Sequence, residues 1–273
     1  MLLDIQGQQS FCYTGGKQFD PALPAIVFIH GAQNDHSVWG LQSRYLAHHG
    51  FGVLAPDLPA HGRSKGHPLA SIEAMRDWVL ALMDAAGVQK AALVGHSMGA
   101  LVALDAAGNA PDRVSKLAML GIAYPMKVSD ALLDASLNEP GRAADMVNIW
   151  SHSSLAPKPS APGPGFWVMG MSQRLMQRVS ESSSEPVFNT DFNACNNYAG
   201  GEAAAAAAAA ARCPALFMLG SADMMTPPRT ALSLRAAIAD AEVALLPCGH
   251  DMMAEQPDAV LDGLKKFLQT RPG

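Results

Sequence analysis

Several features that mark other classes of protein are missing from this sequence of 273 residues. No apolar run approaches the roughly 20 residues that a membrane-spanning helix requires. The N-terminal residues show neither the basic stretch nor the apolar stretch of a secretory signal. Lys and Arg number 19 against 24 Asp and Glu, a net charge of −5, so no basic surface for nucleic acid or anionic lipid is indicated. We expect a cytoplasmic protein that binds neither nucleic acid nor membranes.

Cysteines and metal-binding motifs are also scarce. No Cys-x-x-Cys pair occurs, which favours reduced thiols over disulfides. The four cysteines are Cys12, Cys195, Cys213 and Cys248. No His-Glu-x-x-His motif is present, and the Asp35-His36 dipeptide lacks the further histidine that a metal cluster would need. The sequence therefore predicts no metal site.

Hydrophobic residues are abundant, at 49% against 16% charged, which is sufficient for a large core. Apolar runs alternate with helix-prone stretches, a pattern typical of a mostly parallel sheet with helices on both faces. The predicted strands are residues 2–5, 10–13, 25–29, 52–55, 91–94, 117–120, 215–219 and 243–246. The alternation breaks after Tyr124-Pro125. We interpret residues 126–212 as a helical insertion, with predicted helices at 130–137, 143–150, 172–179 and an alanine tract at 203–211.

The most informative motif is Gly95-His96-Ser97-Met98-Gly99, which follows a predicted strand and precedes a helix-prone stretch. This is the pattern of a nucleophile elbow, in which a sharp turn holds a serine hydroxyl above the edge of the sheet in a strained conformation. The flanking glycines are needed because strand and helix approach too closely for a side chain. Ser97 is therefore a candidate nucleophile.

A serine nucleophile needs a base and an acid, and two later strand ends offer them. Asp223 comes just after the strand at 215–219, and His250 comes just after the strand at 243–246. We expect His250 to move the proton and Asp223 to orient the imidazole and stabilise its charged form. Asp130, inside the insertion, is the second choice for the acid.

An oxyanion hole should complete this chemistry through backbone amides. We predict the N–H groups of Met98, directly after the nucleophile, and of Ala32, in the loop after the strand at 25–29. Gln33 could add a side-chain donor. His30 is interpreted as a residue that braces this loop.

Taken together, these motifs resemble the α/β-hydrolase superfamily, in its cap-bearing serine hydrolase branch. The matching segments appear in the family's order: His30-Gly31-Ala32-Gln33, Asp57 with His61-Gly62-Arg63-Ser64, the elbow, Gly220-Ser221-Ala222-Asp223 with Thr226-Pro227, and Gly249-His250. The resemblance implies a central sheet of about eight strands in a core of residues 1–125 and 213–273. It also implies a helical cap at 126–212, a structural role for the loop at 57–64, and no cofactor.

The expected activity is hydrolysis of a small to medium apolar carboxylic ester through an acyl-enzyme. The same triad in relatives also cleaves carbon–carbon bonds of diketo acids, hydrolyses thioesters or lactones, or makes peracids, and a ligand receptor on this scaffold is a further alternative. Family members that open epoxides use an aspartate nucleophile, so Ser97 argues against that reaction. A diketo acid would need a cationic clamp, for which the insertion offers Arg142, Arg174 and Arg178.

The ligand is expected to be a small molecule, and the protein a monomer or homodimer. The predicted substrate pocket comprises Gln33, Met126, Trp150, Trp167, Met224 and Met252. Trp150, Phe166, Trp167 and Met171 are candidates for the apolar underside of the cap.

Overall fold

A computed structural model describes residues 1–154 and 167–269 of the protein. The strands are β1 (Leu2–Ile5), β2 (Gln8–Tyr13), β3 (Ala25–Ile29), β4 (Gly52–Pro56), β5 (Ala91–His96), β6 (Val114–Leu120), β7 (Ala215–Gly220) and β8 (Glu242–Leu246). In the described chain they form one eight-stranded sheet with the order β1-β2-β4-β3-β5-β6-β7-β8. The β1–β2 and β2–β4 pairs are antiparallel and the other pairs are parallel. The predicted fold class is confirmed.

Helices cover both faces of this sheet. They are α1 (Gly40–Ala47), α2 (Ile72–Ala85), α3 (Met98–Asn109), α4 (Asp130–Asn138), α5 (Pro140–Ser151), α6 (Val168–Ser182), α7 (Val187–Asn197), α8 (Gly201–Ala210), α9 (Leu232–Ala237), α10 (Met252–Glu255) and α11 (Pro257–Gln269). Among the described residues, no helix has both the length and the hydropathy to span a bilayer.

Strand β3 shows why the central strands are continuously apolar. Successive side chains of a strand point to opposite faces of the sheet. Ile26 and Phe28 join the cluster that contains residues of α1 and α11, whereas Val27 and Ile29 join the cluster that contains residues of α2 and α3. Both faces are therefore buried, as expected for a parallel sheet between helical layers.

The helices between β6 and β7 divide into two groups. Residues of α4 to α7 line the cavities around Ser97 that are described below, and we call these four helices the cap helices. Helix α8, which contains the alanine tract, packs against α3 so closely that a side chain at Gly108 would overlap Ala204. The stretch 126–212 thus also includes a helix of the layer against the sheet. The division into core and cap at these boundaries stays a prediction.

Two helical segments differ from the sequence prediction. The sequence predicts one helix over residues 38–49, but the structure has a 3-10 turn (His36–Trp39) followed by α1. The Asp35 side chain accepts the N–H of Ser37 at the start of that turn. Helix α7 was not predicted, because its Asn, Thr and Asp residues have low helix propensity. Its buried Phe188, Phe192 and Cys195 do recur at helical spacing.

Candidate active site

Ser97 lies at the turn between β5 and α3, with φ 54° and ψ −116°. Such a backbone conformation is costly for a residue with a side chain and persists only where the surroundings hold it. The Ser97 N–H donates to the Leu120 carbonyl at 2.8 Å, and its own carbonyl accepts the N–H of Ala100 at 2.9 Å. The turn is therefore fixed on both sides, and Ser97 lines two cavities.

The glycines beside Ser97 are required by close contacts between backbone segments. A Cβ on Gly95 would overlap the carbonyl oxygen of Gly99, which is the predicted crowding of strand and helix. A Cβ on Gly99 would overlap the carbonyl oxygens of Ile29 and His30 instead. That second contact comes from the neighbouring strand and is not visible in the linear sequence.

Asp223 and His250 follow β7 and β8, and the parallel pairing of these strands brings the two residues to the same edge of the sheet. Asp223 Oδ2 lies 2.8 Å from His250 Nδ1. Asp223 Oδ1 accepts the backbone N–H groups of Met225 at 2.8 Å and Thr226 at 2.7 Å. The Thr226 hydroxyl lies 2.8 Å from Asp223 Oδ2 and 3.0 Å from His250 Nδ1. The carboxylate is held from its own loop and faces the imidazole.

These contacts shift the pKa values of Asp223 and His250 so that the charged form of each side chain is favoured. Burial alone would raise the pKa of Asp223, but the His250 charge and hydrogen bond, with the bonds from Thr226, lower that pKa to about 2. Burial would lower the pKa of His250, but the charge and hydrogen bond of Asp223 raise it above its ordinary value of 6.5. Asp130, the second choice for the acid, is exposed in the first turn of α4.

His96 packs against His250 and was given no role in the sequence analysis. The two ring centroids lie 4.7 Å apart, and His96 Nε2 is 2.9 Å from the His250 carbonyl oxygen, so that nitrogen carries a proton and donates it. Burial and the nearby His250 charge lower the pKa of His96 to about 4. A neutral His96 therefore holds the backbone of His250 without adding a second positive charge.

The predicted oxyanion donors lie at the start of α3 and in the loop after β3. Met98 is the first residue of α3, where backbone N–H groups have no intrahelical acceptor and the helix dipole is positive. Ala32 lines both cavities together with Ser97.

His30 braces the loop that carries Ala32, as expected. Its Nδ1 lies 2.8 Å from the Gly31 carbonyl oxygen, and its Nε2 accepts the N–H of Leu58 at 3.1 Å. One ring nitrogen donates and the other accepts, so the imidazole is neutral. Burial and the nearby His61 charge lower the pKa of His30 to about 4, in agreement with this assignment.

Two cavities, of about 440 and 300 Å³, meet at Ser97. The larger cavity reaches α6 and α10, and the smaller one reaches α4 and α5. The residues that line both are Ala32, Ser97, Phe192, Met225 and His250. The arrangement leaves room for a substituent on each side of a reacting group.

Half of the predicted pocket residues line the smaller cavity: Met126, Trp150 and Met224. Met171, a candidate for the cap underside, lines the larger cavity. Phe166, another such candidate, lies outside the described residues. Met225 lines both cavities and was missed in favour of its neighbour Met224.

The other three predicted pocket residues line neither of these cavities, and that part of the prediction was wrong. The Gln33 side chain is turned away into hydrogen bonds with cap helix α6. Trp167 is 57% exposed, beside the start of α6. Met252 is fully buried in the hydrophobic cluster on the α1 and α11 face. A sequence shows which residues follow a strand but not which way their side chains turn.

The three arginines considered as a cationic clamp each pair with a carboxylate. The pairs are Arg142 with Glu139 at 2.9 Å, Arg174 with Glu181 at 3.3 Å and Arg178 with Asp35 at 2.7 Å. Of the three, Arg178 is the one that lines the larger cavity. Its neutralisation by buried Asp35 leaves little positive potential for a substrate carboxylate.

Within the described residues, Asp35, His36 and Asp57 form a cluster whose potential metal-binding atoms lie within 4.8 Å of one another. Their oxygens already accept hydrogen bonds from the protein. Asp57 accepts from the N–H of His36 at 2.8 Å and of Arg63 at 2.9 Å, and Asp35 accepts from Arg178 at 2.7 Å. The cluster is occupied by internal contacts, including a guanidinium that would repel a cation.

The residue that sequence reasoning missed most completely is Asp191, on α7. It is fully buried and contacts both His61 and the backbone N–H of Gln33, in the Ala32 loop. The helical spacing of Phe188 and Phe192 could have revealed the helix. No local pattern indicates the contacts, because His61 lies 130 residues away in the sequence.

Comparisons with known proteins agree with this architecture. A family model described as alpha/beta hydrolase fold matches residues 24–257. An epoxide hydrolase from Caballeronia sordidicola is 28% identical over 162 residues, which are 55% of this chain and 48% of that protein. The sn-1-specific diacylglycerol lipase of Mus musculus is 25% identical over 255 residues, 91% of this chain and 82% of the lipase. The chain thus spans about half the length of the first relative and most of the second.

Solved structures show the same fold. The enol-lactonase from Burkholderia xenovorans LB400 has a TM-score of 0.84 at 23% identity, over 99% of this chain and 100% of that one. At such identity the likeness concerns the fold alone.

Proposed function

This chain belongs to the α/β-hydrolase fold family, and we propose that it is a serine hydrolase that cleaves carboxylic esters with apolar acyl groups of small to medium size. The observation that carries the proposal is the convergence of Ser97 with the Asp223–His250 pair. Ser97 stands on a strained elbow after β5, the 2.8 Å pair follows the later strands β7 and β8, and His250 of that pair lines the same two cavities as Ser97.

In the proposed reaction, Ser97 Oγ attacks the ester carbonyl carbon while His250 Nε2 takes the hydroxyl proton. Asp223 stabilises the imidazolium that forms. The carbonyl oxygen becomes an oxyanion and accepts the N–H groups of Ala32 and Met98. Collapse breaks the bond to the alcohol oxygen, which receives the proton from His250. Water then repeats the sequence on the acyl-enzyme and releases the acid.

We place the acyl group in the smaller cavity and the alcohol in the larger one. Met126, Met224 and Met225 line the smaller cavity. Methionine side chains are flexible and adapt to groups of different shape, which suits a range of acyl chains. A volume of about 300 Å³ limits that range to small and medium groups.

Two related reactions are less well supported. Relatives that open epoxides use an aspartate nucleophile, and this chain has Ser97 at that position. Cleavage of a diketo acid requires recognition of a carboxylate, and the three candidate arginines are already paired with acids. Thioesters and lactones share the ester mechanism, so a substrate panel is needed to rank them.

The decisive experiment combines a fluorophosphonate probe with turnover of p-nitrophenyl butyrate. The probe is expected to modify Ser97, and Ser97→Ala should lose both labelling and turnover while folding normally. Ser233→Ala, which removes an exposed hydroxyl on α9 that lines neither cavity, is the matched control and should retain both. Turnover by purified Ser97→Ala at the wild-type rate would refute the proposed nucleophile. Labelling without turnover of any ester, thioester, lactone or diketo acid would favour a receptor.

A further inference from the structure

Cap helix α7 places a buried carboxylate against the loop that carries Ala32. Asp191 is 0% exposed, and its Oδ2 accepts the backbone N–H of Gln33 at 2.9 Å across 158 residues of sequence. The same oxygen lies 2.9 Å from His61 Nε2. A single carboxylate oxygen of Asp191 therefore contacts two loops of the core from a helix of the cap.

The contact with Gln33 bears directly on Ala32. Ala32 sits between two planar peptide groups, and each has one polar atom held by a buried side chain. The Gly31 carbonyl on one side accepts from His30 at 2.8 Å, and the Gln33 N–H on the other donates to Asp191. Fixing both peptide groups fixes the two backbone dihedrals of Ala32, and with them the direction of its N–H.

The loop needs such support because Gln33 adopts φ 56°. A residue with a side chain rarely has positive φ, and the surroundings must compensate for the cost. Asp191 supplies a charge-assisted hydrogen bond at this residue, which is stronger than a bond between neutral groups.

His61 holds the Asp191 carboxylate in place. Its Nδ1 lies 3.0 Å from the Pro59 carbonyl oxygen, and its Nε2 faces Asp191, so both ring nitrogens face acceptors. An imidazole satisfies two acceptors only when both nitrogens carry protons. Burial alone would lower the pKa of His61, but the charge and hydrogen bond of Asp191 raise it. The pair is an ion pair, and His61 has no lone pair available to act as a base.

We propose that Asp191 is a positioning residue for the oxyanion hole, acting from the cap through the Gln33 N–H on the backbone of Ala32, with His61 as its counterion. This inference rests on the proposed function, in which the Ala32 N–H binds the oxyanion. The cap then does more than cover the substrate, because it completes the geometry that stabilises the transition state.

The test separates an effect on the oxyanion from a general effect on the cap. Asp191→Ala removes the acceptor, and Asp191→Asn keeps an amide oxygen that accepts the Gln33 N–H without the charge. Asn189→Ala is the matched control. It lies on the same helix and removes hydrogen bonds from Asn189 to the Leu133 carbonyl and the Ser136 hydroxyl within the cap.

The readouts are kcat and KM for p-nitrophenyl butyrate, the affinity for benzyl trifluoromethyl ketone, and circular dichroism. Ser97 Oγ adds to the ketone carbon, the carbonyl electron pair becomes an oxyanion, and the serine proton passes to His250. The affinity therefore reports on the oxyanion hole in a stable adduct.

For Asp191→Ala we expect kcat to fall by a factor between about 10 and 10³, the upper value being that of losing one oxyanion donor outright. KM should change less than about threefold, and the ketone affinity should fall in step with kcat/KM. Asp191→Asn should lose about two- to tenfold in kcat/KM and in ketone affinity. Asn189→Ala should match the wild type in both. If Asp191→Ala does not fold, Asp191→Asn carries the test through the same parallel loss.

An unchanged ketone affinity in both Asp191 variants, or a rise in KM alone, would overturn the proposal. Equal losses in Asp191→Ala and Asn189→Ala would also overturn it, since they would indicate cap packing in general. Failure of the proposed function is visible separately, because wild-type protein would then neither turn over the ester nor be labelled at Ser97.

Discussion

In two regions of this protein, a buried aspartate lies 2.8 to 2.9 Å from a histidine nitrogen. The two regions differ in the contacts of the second ring nitrogen of the histidine. In the loops after β7 and β8, Asp223 occupies His250 Nδ1, and His250 reaches both cavities. Between α7 and the loop at 57–64, the Asp191 carboxylate is hydrogen-bonded to Nε2 of His61, and the Pro59 carbonyl oxygen is hydrogen-bonded to Nδ1. The first histidine is placed to accept and return a proton, whereas both ring nitrogens of the second are engaged by acceptors of the protein.

The carboxylates differ in the same way. Asp223 takes its backbone hydrogen bonds from Met225 and Thr226 in its own loop, so the core alone orients it. Asp191 takes its backbone hydrogen bond from Gln33 in a distant loop, so it connects cap and core. In our proposals, similar local chemistry thus serves proton transfer in one region and backbone positioning in the other.

The largest expected effect is that of Asp223→Asn. Loss of the charge that stabilises the imidazolium, with the wrong tautomer favoured, should lower kcat by about 10⁴-fold with little change in the fold. Asp130→Asn is the control, since Asp130 is exposed on α4, and its kcat should match the wild type. Steady-state hydrolysis of p-nitrophenyl butyrate measures both. A large loss in Asp130→Asn with none in Asp223→Asn would mean that the acid lies in the insertion.

His61→Gln should instead act on stability. Removing one partner of a buried ion pair costs about 3 kcal/mol or more, because Asp191 is left unpaired. Since the pKa of His61 is raised on folding, its contribution is complete below the ordinary value of 6.5 and is lost as the pH rises through the raised pKa. The difference in unfolding free energy between wild type and His61→Gln should therefore be larger at acidic than at alkaline pH.

Urea unfolding followed by circular dichroism at several pH values measures this difference. His67→Gln is the control, because its contact with Glu185 is exposed and should contribute little at any pH. A difference for His61→Gln that grew with rising pH would contradict the assignment of a charged His61.

A smaller effect is expected on chain-length preference. Val128→Phe narrows the smaller cavity and Leu175→Phe narrows the larger one. Each methylene group that the cavity no longer accommodates should raise the free energy of the transition state by about 0.8 kcal/mol, which lowers kcat/KM. Val128→Phe should therefore shorten the optimal acyl chain, and Leu175→Phe should shorten the optimal alcohol chain. The opposite pattern across p-nitrophenyl ester and alkyl butyrate series would exchange the two cavities.

The smallest expected effect is that of metal removal. Neither the Asp223–His250 pair nor the proposed oxyanion donors require an ion, so dialysis against a strong chelator should leave kcat unchanged. The assay is ester hydrolysis before and after dialysis, with added zinc and manganese. Activity that was lost and then restored by either metal would assign a role to the cluster of Asp35, His36 and Asp57.

Much of the fold was predictable because apolar runs and turn residues are local signals. The predicted bounds of β1 and β3 agree with the structure. Ser71, a residue type favoured at helix N-caps, caps α2 with its side chain. Helix α7 was missed because its polar residues disguise the spacing of its apolar ones. The pocket was predicted only in part, since adjacent residues such as Met224 and Met225 turn towards different surroundings.

The sequence by itself determined the elbow at Ser97 and the strand ends that carry Asp223 and His250, because parallel pairing brings the ends of such strands to one edge of the sheet. The tertiary structure alone decided which distant side chains support the loops around this site. Asp191 meets Gln33 and His61 only because α7 packs over the core, and the packing of segments far apart in the chain leaves no local pattern. The same physics explains why two aspartate–histidine pairs can differ in role: burial and the acceptor on the second nitrogen are properties of the folded chain.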